Sequence, residues 1–256
     1  MADGRRLRIV ELFAGAFFPQ GDGGNVLGLA WRARRRGIEV EVSGVLLGGR
    51  IPPAELYAIG GGEDEDAPIV AARLRAGGEL AAAVDAGAVL FGSGQGYQLL
   101  GETFERYDTG EAAAGAGLID VRFTREAFVD RRVVTRPNVV LGLPPISGYE
   151  SHRGRATLGA GVQPLAELEI GTGNGGQPAT DGAVVARGGG HVVGTWLHGP
   201  VLPRNPELAD LLLAWALRLD PAELAPLGDR ESRFAALVRS ERIAEARRYA
   251  TELVPH

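Results

Sequence analysis

Two short stretches hold the residue types best placed to do chemistry. In Gly92-Ser93-Gly94-Gln95-Gly96 an apolar strand, Ala88 to Phe91, runs into glycines just ahead of a helical Tyr97-Gln98-Leu99-Leu100. A strand that turns sharply into a helix, with small residues two positions either side of its apex, is the geometry of a nucleophile elbow. Gly92 and Gly96 are the small flanks, which puts Gly94 at the apex, where it offers no side chain. Choosing Ser93 instead would set Phe91 and Gln95 at positions too tight for them. The same glycines at a helix start suit an anion, but the third glycine of a dinucleotide fingerprint would fall at Tyr97. A purely structural turn is the further reading. In Thr195-Trp196-Leu197-His198-Gly199-Pro200 an apolar strand delivers His198 to its end, where an imidazole can serve as a base near neutral pH. No acid stands two positions on to orient it. Glu150 and His152 form a second pair, either acid and base toward a substrate or hydrogen-bonding groups beneath the site. The run Glu63 to Asp66 reads as a solvated loop and not as a metal site.

Composition removes several alternatives. The chain has 256 residues, 45% hydrophobic and 23% charged, which is the make-up of an ordinary globular protein. No lysine occurs, so Schiff-base chemistry and a Walker lysine are excluded. No cysteine occurs either, which removes disulfides, thiolate metal ligands and thiolate nucleophiles together. A net charge of -5 argues against a nucleic-acid partner. No apolar run approaches the roughly 20 residues of a membrane span, and the start reads into a strand instead of a signal-peptide core, so the expectation is a cytoplasmic protein without membrane insertion.

The elements that must position these residues follow from periodicity. Leu7 to Phe13 is a strand, followed by a loop of Gly15, Pro19, Gly21, Asp22, Gly23 and Gly24. Val26, Leu27, Leu29, Ala30 and Ala33 recur at helical spacing, and Arg34 to Arg36 mark that helix's exposed end. Strands are expected at Ile38 to Val42 and Leu56 to Ile59, an alanine-rich helical segment at Ile69 to Ala86, and the strand entering the elbow at Ala88. This alternation implies a mainly parallel sheet flanked by helices, with ligands at the carboxyl ends of its strands. From Leu118 on, short alternating segments imply an antiparallel or mixed extension: Asp130 to Val134, Val139 to Leu141, Leu165 to Ile170, Ala183 to Ala186 and Val192 to Trp196. Leu208 to Leu219 and Arg230 to Leu253 are closing helices, the second apolar at Phe234, Leu237, Val238 and Ile243. Residues 1–256 read as a single domain whose segment 220–256 closes it.

The loop Gly21 to Asn25, Ile59-Gly60-Gly61-Gly62, the elbow through Gly101, Gly148 to Gly154, and Gly194 to Pro200 with Leu202 to Leu208 come in the order found in one family. Over roughly residues 7–215 the chain resembles the glutaminase subunit of lipid II isoglutaminyl synthase, the GatD family of class I glutamine amidotransferases related to cobyric acid synthase. The resemblance implies a flavodoxin-like α/β fold. It also implies a cysteine-histidine glutaminase without a cofactor that passes ammonia to a Mur-ligase-like partner for amidation of a peptidoglycan precursor. It maps the catalytic base onto His198 and the nucleophile onto Gly94. The backbone oxyanion hole maps onto Gln95 with Gly61 or Gly62, Asp22 matches an acidic loop position near the family's site, and Arg131 lies about where a substrate-recruiting arginine is expected. With Gln98, Glu150 and His152 these two are the candidate substrate-binding residues. Glycine cannot form the thioester. Three expectations therefore stand together: an amidotransferase subunit deficient in glutaminase, a repurposed enzyme using His198 without a covalent nucleophile, and a module that holds an amino acid without hydrolysing it.

Overall fold

The computed structural model describes residues 5–14, 21–227 and 230–252. Gly15, Pro19 and Leu253 of the expected elements lie outside them. The first half is built from β1 (Arg6–Leu12), α1 (Gly23–Arg35), β2 (Glu39–Val45), β3 (Leu56–Ile59), α2 (Ala67–Arg75), α3 (Glu79–Asp85), β4 (Val89–Ser93) and α4 (Gln95–Leu100). Then come β5 (Thr103–Glu105), β6 (Ala112–Ala114), β7 (Val121–Thr135), β8 (Ser147–Leu158), β9 (Ala166–Ile170) and β10 (Thr180–Asp181). The chain closes with β11 (Ala183–Arg187), β12 (Gly190–Thr195), β13 (Leu197–His198), α5 (Val201–Arg204), α6 (Pro206–Ala216) and α7 (Arg230–Glu252).

The first sheet has the order β11-β12-β4-β3-β1-β2, parallel throughout except for the β11–β12 pair. Its central strands β1, β3 and β4 are covered on both faces, as a parallel sheet requires, whereas the edge strand β2 is largely exposed, and the side-chain alternation sorts them. Leu7, Ile9, Leu56, Ala58, Val89 and Phe91 pack with α1 and α6. Val10, Leu12, Tyr57, Ile59 and Leu90 pack on the other face with α2 and α3. The second sheet is mixed and runs β10-β9-β7-β5-β6, with β8 joined to β7 and β13 joined to β8. The chain therefore leaves the first sheet at Thr195, the end of β12, and enters the second at Leu197 as β13, which puts His198 at the junction.

Some segments depart from the sequence reading. Ile69 to Ala86 is two helices, because Gly77 and Gly78 adopt φ of 81° and 67° and break the turn. Val139 to Leu141 is a turn instead of a strand. Asn138 Oδ1 accepts from the Leu141 amide at 3.1 Å, and Val139 and Val140 are 88% and 82% exposed. Asp130 to Val134 is only the end of the fifteen-residue β7. The arginines ending α1 are not all solvated: Arg36 buries its side chain and donates to Asp210 Oδ2 at 2.8 Å, beside the bidentate Arg32–Asp210 pair that ties α1 to α6. On α7 the apolar residues divide. Ile243 is buried against β7, whereas Phe234 and Leu237 face outward.

Candidate active site

The carboxyl ends of β1, β3, β4 and β12 converge where the sheet's crossovers reverse, the usual place for a ligand. Asp22 ties those ends together. Its Oδ2 accepts from the Gly61 amide at 3.0 Å, and its Oδ1 accepts from the Ser93 hydroxyl and the Gly199 amide, each at 3.1 Å. The carboxylate is buried and its oxygens are engaged, so Asp22 holds four loops in register rather than reaching for a substrate. Ser93 is equally committed: its hydroxyl is buried and faces Asp22.

Gly94 is the apex of the turn between β4 and α4, at φ 56° and ψ -125°. L-residues hold that backbone combination only under strain. The flanks are set by contact: a Cβ at Gly96 would lie 2.5 Å from the Ile59 carbonyl oxygen, and one at Gly92 2.9 Å from Leu100. These contacts fix the register with Gly94, not Ser93, at the apex. A Cβ at Gly94 would itself lie 2.1 Å from His198 Cε1 and 2.6 Å from Nδ1. The imidazole occupies the space that a side chain at the apex would need.

His198 Nε2 faces the Ser151 carbonyl oxygen at 3.1 Å. It therefore carries the ring proton, which leaves Nδ1 as the basic atom, buried and without a partner among the described residues. Burial pushes the imidazole pKa below its ordinary value, and the nearby Asp22 charge opposes the shift. Tyr149 lies alongside the ring at 5.9 Å. Glu150 and His152 come together as the sequence predicts: His152 Nε2 donates to Glu150 Oε2 at 3.2 Å, and its Nδ1 accepts from the Gly154 amide. Burial alone would raise the Glu150 pKa, but the His152 bond and the amides of Gly173 and Thr172, both at 2.6 Å, hold it below the ordinary carboxylate value. His152 stacks on Trp196 at 4.1 Å. Glu150 is thus fully buried support, and His152 is the member of the pair that lines the cavity.

That cavity, of about 280 Å³, is also lined by Gly62, Asp64, Gln95, Gln98, Arg153 and His198. Gln95 donates from Nε2 to Asp64 Oδ1 at 2.8 Å while its Oε1 is buried without a partner. Trp196 lines the same cavity with its indole N–H equally unmet. One unmet donor, Trp196 Nε1, and two unmet acceptors, Gln95 Oε1 and His198 Nδ1, therefore belong to a single lining, and buried polar groups of this kind are normally paired. Of the three residues proposed for an oxyanion hole, Gly61 has its amide committed to Asp22, which leaves Gly62 and Gln95 for that role.

Residues 10–206 match the CobB/CobQ-like glutamine amidotransferase domain. The chain belongs to this family. It is 28% identical over 236 residues to the lipid II isoglutaminyl synthase (glutamine-hydrolyzing) subunit GatD of Staphylococcus aureus strain N315, covering 88% of this chain and 93% of that one. The subunit of the same name from Streptococcus pneumoniae strain ATCC BAA-255 / R6 is 27% identical, over 83% and 81% of the two chains. A solved glutamine amidotransferase superposes with a TM-score of 0.51 at 19% identity, over 81% of this chain and 98% of that one, which supports the shared fold.

Against this amidotransferase frame, the structure brings His198, Gly94, Gln95, Gln98, Gly62 and His152 to one place. Arg131 is not there. It is exposed on β7 and lines a different cavity, with Tyr249 and Ala250 of α7. The cation in the site is Arg153, whose guanidinium lies 5.0 Å over the Phe128 ring. Arg153 sits one residue beyond His152 in the same Gly148 to Gly154 motif, so the signal for it was local. Trp196, Asp64 and Tyr107 also line the cavity unforeseen. Trp196 directly precedes the strand pair Leu197–His198, but Asp64 and Tyr107 arrive through loop packing that no spacing encodes.

Proposed function

We propose that this chain is a GatD-like amidotransferase subunit, of the kind that amidates lipid II, working with a Mur-ligase-like partner and without glutaminase activity of its own. Gly94 carries the reading. The sharp turn and the facing imidazole support the reading, with Gly62 and Gln95 as the amides offered for an oxyanion, yet the apex supplies no atom to attack an amide carbon. Loss of a nucleophile leaves a residual acceleration on the order of a thousandfold from the hole and binding groups in a well-studied protease. The three unmet polar atoms favour a cavity that still holds a small amide-bearing amino acid such as glutamine. On this reading the chain binds its ligand, shapes its partner and leaves ammonia production elsewhere.

The test is ammonia release from glutamine by the chain and by Gly94→Cys, each with and without a Mur-ligase-like subunit. The expected result is no release by the parent under either condition, and release by Gly94→Cys in the presence of the partner. Release by the parent that disappears in His198→Ala would overturn the proposal. A silent Gly94→Cys that still binds the partner would instead favour a pocket rebuilt around His198 for a different reaction.

A further inference from the structure

Tyr149, which lies alongside His198, also lines a second cavity of about 280 Å³, walled by β7, β8, α5 and α7. Arg132, Arg204, Arg242 and Glu245 line it. Glu245 belongs to Arg132, which holds it at 3.1 Å and also lies 4.6 Å over the Tyr249 ring. Among the described residues, Arg204 and Arg242 have no carboxylate partner, so the lining carries two uncompensated positive charges. Arg204 is half-buried; burial first, and then the charge of Arg242, lowers its pKa.

Ser147 adds a polar group to the same lining. Ser147 has its backbone clamped by Asn205, whose Oδ1 accepts from the Ser147 amide at 2.9 Å and whose Nδ2 donates to its carbonyl at 3.0 Å. The Ser147 hydroxyl is buried and has no partner. Two adjacent like charges and a buried unmet hydroxyl are both unfavourable, and an oxyanion relieves both at once. A phosphate monoester brings close to two negative charges at neutral pH and three strong acceptor oxygens. That matches two guanidinium forks and a hydroxyl better than a single carboxylate does.

We propose that Arg204, Arg242, Ser147 and Tyr149 form a binding site for a phosphoryl group, either inorganic phosphate or a phosphate monoester. Tyr149 also flanks His198, so occupancy of the site is sensed at the histidine. This site stands whether or not the chain proves deficient in glutaminase.

The test is calorimetric titration of the full chain with inorganic phosphate, glycerol phosphate and acetate at constant ionic strength. Arg242→Gln, an exposed position on α7, is run beside the parent with Arg204→Gln as a second variant. The His198 ring signals are followed by NMR. The expected result is saturable binding of phosphate or its ester, weakened about tenfold or more by either substitution, with a saturable shift of the His198 signals in the parent. Tighter binding of the ester points to a phosphorylated metabolite, and equal binding to free phosphate; both support the site. Absence of saturable binding, equal affinity for acetate, or unchanged affinity in both variants would overturn it.

Discussion

At the level of single residues, the site is defined as much by what Gly94 lacks as by what surrounds it. A φ of 56° with ψ of -125° is the strained apex of an elbow, and glycine occupies it without that strain. His198 lies over the apex, donating its Nε2 proton to the Ser151 carbonyl with Nδ1 buried. Any side chain placed at the apex must first displace that ring. Asp22 is the residue that keeps the remaining geometry assembled. Its removal strands the Gly61 and Gly199 amides and the Ser93 hydroxyl, and each buried donor left without an acceptor costs about 1–3 kcal/mol. Asp22→Ala is therefore expected to lose at least about 3 kcal/mol in urea denaturation, whereas Asp22→Asn, which keeps one oxygen, loses less. A loss under about 1 kcal/mol in Asp22→Ala would show that the loops hold their register without the carboxylate.

Among the elements, α7 is held differently from the rest. α6 packs Leu208, Leu212 and Leu213 into the core, but α7 contributes only Ile243 and Ala246 to a small cluster with Val134. Its described ties also include the ion pairs of Arg239 with Glu207, Glu245 with Arg132 at 3.1 Å and Arg247 with Glu169 at 2.6 Å, and Arg132 over the Tyr249 ring. Of these pairs Arg239–Glu207 is partly buried, but the other two are exposed, weak and screened by salt, and elements with little apolar burial open first. Amides of α7 should exchange with deuterium faster than those of α6, and raising salt from about 0.05 to 0.5 M should speed α7 selectively. Equal protection of the two helices would refute this. The same contrast explains what the sequence makes legible. The parallel strands could be read because each alternates between two buried faces, as Leu7 and Ile9 do against Val10 and Leu12. The apolar pattern of α7 misled because Phe234 and Leu237 have no packing partner in the described core. Val139 to Leu141 misled because a β-branched run was bent by Asn138 and by Gly142 at φ 66°. In the site, His198 and the elbow follow from local pattern, while Arg153 in place of Arg131 depends on how far β7 and β8 slide past each other at the irregularity between Arg125 and Val129.

Across the whole molecule, the two sheets meet at a buried acid that takes no part in the cavity. Asp181, on β10 of the second sheet, accepts from Thr195 Oγ1 of β12 in the first at 2.5 Å and from the Trp196 amide at 3.2 Å. It thereby fixes the strand that carries His198. Burial pushes the Asp181 pKa up from 3.8 to about 6; the charge of Glu150 adds to that shift, and the bonds from Thr195 and Trp196 oppose it. Because the folded pKa lies above the unfolded one, the folded state binds more protons between the two values. The stabilisation from this group is complete below about pH 4 and is lost as pH rises through about 6. By the same linkage the loss amounts to about 3 kcal/mol at most. Glu150 works in the opposite sense, since its folded pKa is lowered and its contribution fades as pH falls, so the parent's profile alone mixes the two. Asp181→Asn separates them. The stability difference between variant and parent, measured by urea unfolding from pH 4 to 7.5, should move in the variant's favour across pH 4 to 6.5 and then level off. Parallel profiles would mean that Asp181 keeps its charge at the junction, held there by Thr195 and Trp196 strongly enough to outweigh burial.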